Sequence, residues 1–147
     1  MPITLRPAAP QDFEFCARFY GADLALYIPD PAAQAAKLAT LRPRWHVGDV
    51  RIVVRDGTDV GWLQSTNTGD AVFIVQFFID APLRGRGIGA DVLARIIADA
   101  TSRGQDVTLE VVKENRALGL YRRFGFAIVG EDAVKFHMRR LGGRAEG

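Results

Sequence analysis

The sequence predicts a single mixed α/β (α+β) domain, and three observations carry that prediction. Short apolar runs with strand character alternate with stretches of helical periodicity. A strand–glycine loop–helix–strand unit occupies the middle of the chain, from Val72–Ile79 through Arg84-Gly85-Arg86-Gly87-Ile88-Gly89-Ala90 to Val107–Val112. The chain has 147 residues, 48% of them apolar, enough for one core and too many for a disordered segment.

The elements follow in order. Ile3–Arg6 reads as a short strand. Pro10 opens a helix whose apolar positions Phe13, Cys16, Ala17 and Tyr20 recur three or four apart. Leu24–Val47 is less regular, with an Ala-rich helix from Pro31 to Leu41 that Pro43 breaks. Arg51–Arg55 and Val60–Gln64 read as strands around the hairpin loop Asp56-Gly57-Thr58-Asp59, and Thr66–Asp70 as a further turn. Val72–Ile79 barely alternates, which predicts a strand buried on both faces. From Gly87 to about Arg103, Ile88, Val92, Leu93, Ile96, Ile97 and Ala100 form one helical stripe, ended by Gly104. Val107–Val112 is the next strand and Arg116–Phe124 a short helix ended by Gly125. Ala127–Val129 and Val134–Met138 close the fold. That makes about seven strands and four helices in one domain over residues 1–141, with 142–147 as a flexible tail.

Composition narrows the function. Net charge is +2, and all but three of the 19 basic residues (Lys37, Lys113, Lys135) are arginine. The excess is too small, and too local to Arg84 and Arg86, to predict nucleic-acid binding. The single Cys16 rules out an intrachain disulfide. No signal peptide opens the sequence and no apolar run approaches a membrane span, so a soluble cytoplasmic protein is expected, with no membrane partner. His46 and His137 are isolated, so no metal site is expected.

The glycine loop predicts an anion site. A strand passing through glycines into a helix N-terminus turns backbone N–H groups toward one point, and the helix dipole adds positive potential there. Gly85-x-Gly87-x-x-Ala90 also fits the dinucleotide fingerprint. However, it lies past mid-chain and only one strand–helix unit follows. No Lys-Ser or Lys-Thr follows the glycines, which excludes a nucleotide P-loop.

A second motif identifies the phosphorylated ligand. Val111-Val112-Lys113-Glu114-Asn115 ends a strand, and Ala117-Leu118-Gly119-Leu120-Tyr121-Arg122-Arg123-Phe124-Gly125-Phe126 follows it. Together with Arg84-x-x-Gly87-x-Gly89, over roughly residues 76–130, this resembles the GNAT superfamily of N-acetyltransferases. Asn115 precedes Tyr121 by six positions, where seven is commoner in that family. The resemblance implies a twisted, mixed, mostly antiparallel sheet that splays open between strands 4 and 5, with acetyl-CoA entering the splay. The backbone of Phe77, Phe78 and Ile79 would pair with the pantetheine arm. The N–H groups of Gly85, Arg86, Gly87, Ile88, Gly89 and Ala90 would cradle the pyrophosphate, with Arg84 and Arg86 beside it. The acceptor would be an amine, and family members are often homodimers.

Acetyl transfer needs a deprotonated amine, a stabilised oxyanion and a neutralised thiolate. No Ser-His-Asp or Cys-His pattern is evident, so direct attack in a ternary complex is expected. By resemblance, Tyr121 is the general acid near the CoA sulfur; an ordinary core tyrosine is the competing reading. Glu110, in Leu109-Glu110-Val111, resembles the base of ribosomal-protein alanine acetyltransferases and competes with a solvated strand glutamate. The position where many family members carry a glutamate base is Gln76 here, and Asp80 fits better as a strand-end cap. Asn115 is either a pantetheine ligand, a helix N-cap or both. Arg122 and Arg123 fit a solvated helix face. Tyr20 to Tyr27 line the acceptor cleft if the family pattern holds. A non-catalytic acyl-CoA-binding regulatory module of the same fold is the alternative reading, with Gln76 as its main support.

Overall fold

The computed structural model describes residues 3–142; the predicted tail otherwise lies outside the described residues. Seven strands run in the order β1-β2-β3-β4-β5-β7-β6. They are β1 (Ile3–Pro7), β2 (Val50–Arg55), β3 (Thr58–Asn67), β4 (Ala71–Ile79), β5 (Asp106–Val112), β6 (Ala127–Glu131) and β7 (Lys135–Arg140). The helices are α1 (Phe13–Tyr27), α2 (Pro31–Ala39), α3 (Leu41–Arg44), α4 (Ile88–Ser102) and α5 (Leu118–Arg123). The β1–β2, β2–β3, β5–β7 and β6–β7 ladders are antiparallel. β4 and β5 are parallel, paired from Ala71↔Asp106 to Ile74↔Leu109. β4 continues to Ile79 and β5 to Val112 beyond that ladder.

The described chain forms two compact units: 3–64 with 76–88, and 65–75 with 89–142. In the first, Phe13, Cys16, Tyr20 and Leu24 form one buried stripe of α1, clustered with Leu41, Val50, Ile52 and Trp62. Pro10 begins a 3-10 turn, Pro10–Asp12, that leads into α1. Arg6 of β1 clamps that turn through both carboxylate oxygens of Asp12 at 3.0 Å and reaches Asp59 at 2.9 Å. These hydrogen bonds hold the Asp12 carboxyl below its usual range.

Several boundaries depart from the sequence reading. α1 runs to Tyr27, so the irregular stretch begins later than Leu24. The break after the Ala-rich helix falls at Thr40, and Pro43 lies inside α3, because the first turn of a helix needs no N–H there. The first hairpin loop is only Asp56-Gly57, with φ values of 52° and 77°, a two-residue turn with both central residues left-handed. β4 is fully buried only in part; Val75 to Phe78 are half-buried.

In the second unit, all the predicted α4 stripe (Ile88 belongs to the first unit) is buried, with Val107, Leu109 and Val111 of β5. Asp106 is buried as well, and accepts from Arg139 Nε and from the Gly142 N–H, both at 2.7 Å. A Cβ on Gly142 would lie 2.5 Å from the Gln105 carbonyl oxygen, so this clasp requires glycine. Among the described residues no helix is long and apolar enough to cross a membrane, and no group of His, Cys, Asp and Glu is placed to hold a metal ion.

Gly61 sets how β3 meets the end of β4. Its β2 register shifts between Val53↔Gly61 and Val54↔Asp59, leaving Val60 as a bulge. A Cβ at Gly61 would lie 2.2 Å from the Phe78 carbonyl oxygen and 3.2 Å from the Ile79 Cα. Both neighbours are backbone, so neither can step aside. Gly61→Ala is expected to cost at least about 2 kcal/mol in chemical denaturation; a loss within error would show that this contact is not limiting.

Candidate functional site

The end of β4 is a backbone platform. Phe78 stacks on Trp62 with ring centroids 5.4 Å apart and meets Tyr20 edge-on at 6.2 Å. The Asp80 N–H donates to the Val60 carbonyl at 2.8 Å, so this edge of β4 faces β3. Alternation turns the backbone groups of Phe77 and Ile79 to the other edge. There the Ile79 carbonyl accepts from Arg84 Nε at 3.2 Å. Asp80 precedes a 3-10 turn, Ala81–Leu83, but its carboxylate makes no capping bond, contrary to the capping role expected of it.

The loop that follows is glycine-rich and open. Gly85 and Gly87 both adopt φ of +81°, the left-handed region that glycine enters without strain. A Cβ built on either would meet no atom within 4 Å, so the space above the loop is open. α4 begins at Ile88, whose buried side chain anchors the helix start. The first-turn N–H groups of Ile88, Gly89 and Ala90 have no acceptor within the helix. Arg84 and Arg86 are exposed beside them.

In the second unit the remaining candidates fall into distinct roles. Tyr121 is buried on α5, with its ring 5.8 Å from Phe126. Asn115 Oδ1 accepts from the Ala117 N–H at 2.8 Å, and its carbonyl accepts from the Leu118 N–H at 3.2 Å. Asn115 therefore closes the turn that leads into α5, while the N-cap position expected of it falls at Ala117. Glu110 is exposed on β5, opposite His137 of β7 in the ladder. Its carboxylate lies 3.0 Å from His137 Nδ1 and 3.9 Å from Lys135 Nζ. Arg122 and Arg123 are exposed. Gln76, which belongs to the first unit, is half-buried on β4.

Sequence reasoning missed Asp23. It lies half-buried on α1 between Tyr20 and Tyr27, three and four positions away on the same helical face. Burial pushes its carboxyl pKa up, and the nearby Arg84 guanidinium offsets this only in part. Tyr20 accepts from Arg44 Nη2 at 2.9 Å, and Gln64 Nε2 donates to the Arg44 carbonyl at 3.0 Å. The spacing within Tyr20–Tyr27 was the available signal; the proximity of Arg84, 61 positions on, was not readable. Because its folded value lies above the unfolded one, Asp23 favours the fold below about pH 4 and weakens it as pH rises through the folded value. Asp23→Asn should therefore melt higher than wild type at pH 7, with the gain shrinking as pH falls toward 4; a pH-independent difference would contradict the assignment.

Comparison with known proteins fits this geometry. The family model described as acetyltransferase (GNAT) family matches residues 17–126. An uncharacterized N-acetyltransferase of Methanocaldococcus jannaschii is 34% identical over 70 residues, which span 46% of this chain and 31% of that protein. Among solved structures, the PaiA N-acetyltransferase of Thermoplasma acidophilum in complex with coenzyme A superposes with a TM-score of 0.74 at 16% identity, covering 96% of this chain and 99% of that one. Arabidopsis thaliana Naa50 in complex with the bisubstrate analogue CoA-Ac-MVNAL gives 0.66 at 18% identity, covering 95% and 99%.

Proposed function

Because the chain belongs to the acetyltransferase (GNAT) family, we propose that it transfers an acetyl group from acetyl-CoA to a primary amine of a small molecule, peptide or protein. The observation that carries this reading is the open glycine loop between β4 and α4. Two left-handed glycines and a helix N-terminus fit a pyrophosphate, and Arg84 and Arg86 add charge. The Phe77–Ile79 edge, where Arg84 holds the Ile79 carbonyl, suits the pantetheine arm as an added strand, and Asn115 closes the turn before α5. That two similar folds are solved with coenzyme A or a CoA-containing analogue supports the same ligand.

The chemistry follows from the groups at hand. The neutral amine attacks the thioester carbon, the C–S bond breaks and the thiolate takes a proton. Tyr121 supplies that proton as general acid. Glu110 serves the other side, where the amine must lose its proton. We place the protein in the cytoplasm, with an amine acceptor as its partner and no nucleic-acid, membrane or metal partner.

Gly87→Asp should abolish CoA binding in calorimetry, since it adds bulk and negative charge where the diphosphate lies; unchanged affinity would refute the loop assignment. Tyr121→Phe should lower kcat about 10²-fold with CoA affinity retained; full turnover would remove Tyr121 from the mechanism. Release of CoA thiol with a panel of aliphatic amines, amino acids and short peptides tests the reaction itself. Tight CoA binding with no thiol release across the panel would favour the non-catalytic module, for which Gln76 speaks.

A further inference from the structure

We propose that Asp23 of α1 selects the acceptor by taking a second, non-reacting cation of that molecule, so that the substrate class is a diamine or another amine with an extra positive charge. This rests on the acetyl-transfer reading above. Asp23 belongs to the same compact unit as the end of β4 and the glycine loop as far as Ile88. Two neighbours tie it to that strand end. Tyr20, one helical turn before Asp23 on the same face, meets the Phe78 ring edge-on at 6.2 Å. Arg84, whose charge bears on the Asp23 carboxylate, donates from Nε to the Ile79 carbonyl at 3.2 Å.

The carboxylate lacks the partner that its surroundings call for. It is half-buried and makes no hydrogen bond or ion pair among the described residues. Burial disfavours its charge, and the Arg84 field offsets this only in part. Desolvated charges are normally paired. The helix gives no compensation, because Asp23 lies toward the C-terminal end of α1, where the dipole disfavours an anion. Other arginines around α1 are engaged elsewhere. Arg18 lies over the Phe15 ring, Arg42 over the Phe13 ring, and Arg44 Nη2 donates to the Tyr20 hydroxyl at 2.9 Å. That last bond, backed by Gln64 Nε2 on the Arg44 carbonyl at 3.0 Å, also fixes the tyrosine beside the carboxylate. A cation on the ligand supplies the charge that the protein withholds.

That cation is not the amine that is acetylated. The reacting nitrogen must be neutral to attack, whereas a carboxylate beside it stabilises the ammonium. The nitrogen held by Asp23 is one that stays charged throughout. Its ion pair is the same in ground and transition state, so it acts on KM and not on kcat. Asp23 and the β4 edge belong to one unit, so the carboxylate stands at a set separation from a thioester lying along that edge. The separation selects the spacing between the two nitrogens of the acceptor.

The test is thiol release with unbranched diamines of three to six carbons, each set against the monoamine of the same length. Wild type should favour one diamine over its monoamine by about tenfold in kcat/KM, the worth of one charge-assisted hydrogen bond, and the difference should lie in KM. Asp23→Asn should lower the diamine's kcat/KM by about that factor and bring the ratio close to one. Because this variant is expected to melt higher than wild type at pH 7, a lost preference is not a folding defect. Asp23→Glu should keep a preference but move it to a shorter diamine, since its carboxylate reaches further. Equal kcat/KM for diamines and monoamines in wild type, or an equal loss for both in Asp23→Asn, would overturn the proposal while the enzyme stands. If wild type releases thiol with no amine, the acetyl-transfer reading falls, and calorimetry with the same diamines decides the cation site by itself. Binding by wild type that Asp23→Asn lacks would support the site; equal heats, or none, would overturn it.

Discussion

One close backbone approach governs the site: Gly61 of β3 against the Phe78 carbonyl of β4. A strand end is usually aimed by side chains, which can repack. Here two main chains meet where no Cβ fits, and the bulge at Val60 makes the meeting possible. Asp80 then hooks back to Val60, so the chain leaves β4 in one direction. The glycine loop follows this strand end in the chain, so its starting point rests on a residue well before it in sequence.

Electrostatics on this side are shared, not simply positive. Arg84 divides its guanidinium between the Ile79 carbonyl and the field of Asp23. Asp23 is left in a setting that resists its charge, a cost the fold carries next to Tyr20 and Tyr27. Polar groups kept in such places are more often functional than stabilising. Nearby, the buried Trp62 indole N–H and Gln64 Oε1 have no protein partner.

Much of this was legible in the sequence, for local reasons. The α4 stripe was read correctly because period and burial agree over fifteen residues. Gly85 and Gly87 were readable because a left-handed backbone demands glycine. The Asp-Gly pair marked the first hairpin, but the loop was drawn two residues too long, since ladder pairing extends as far as turn geometry permits. The break at Thr40 was missed because proline was given weight as a breaker, whereas Pro43 sits inside the first turn of α3, where its missing N–H costs nothing. The cap expected at Asn115 falls at Ala117, because α5 starts two residues later than the predicted Arg116. Register hid most: nothing local says that Glu110 faces His137, or that Arg84 reaches Asp23. Gly61 was unremarkable in sequence because its constraint comes entirely from Phe78.

The Asp106 clasp bears on where this chain can be shortened. A buried carboxylate takes one of its donors from the main chain of Gly142, which has no side chain by which to announce its importance. Cutting before that position would strip a donor from a desolvated charge and loosen Arg139 along with it. A version trimmed by inspection of the last strand alone, at Arg140, would thus discard a structural residue that looks like spacer.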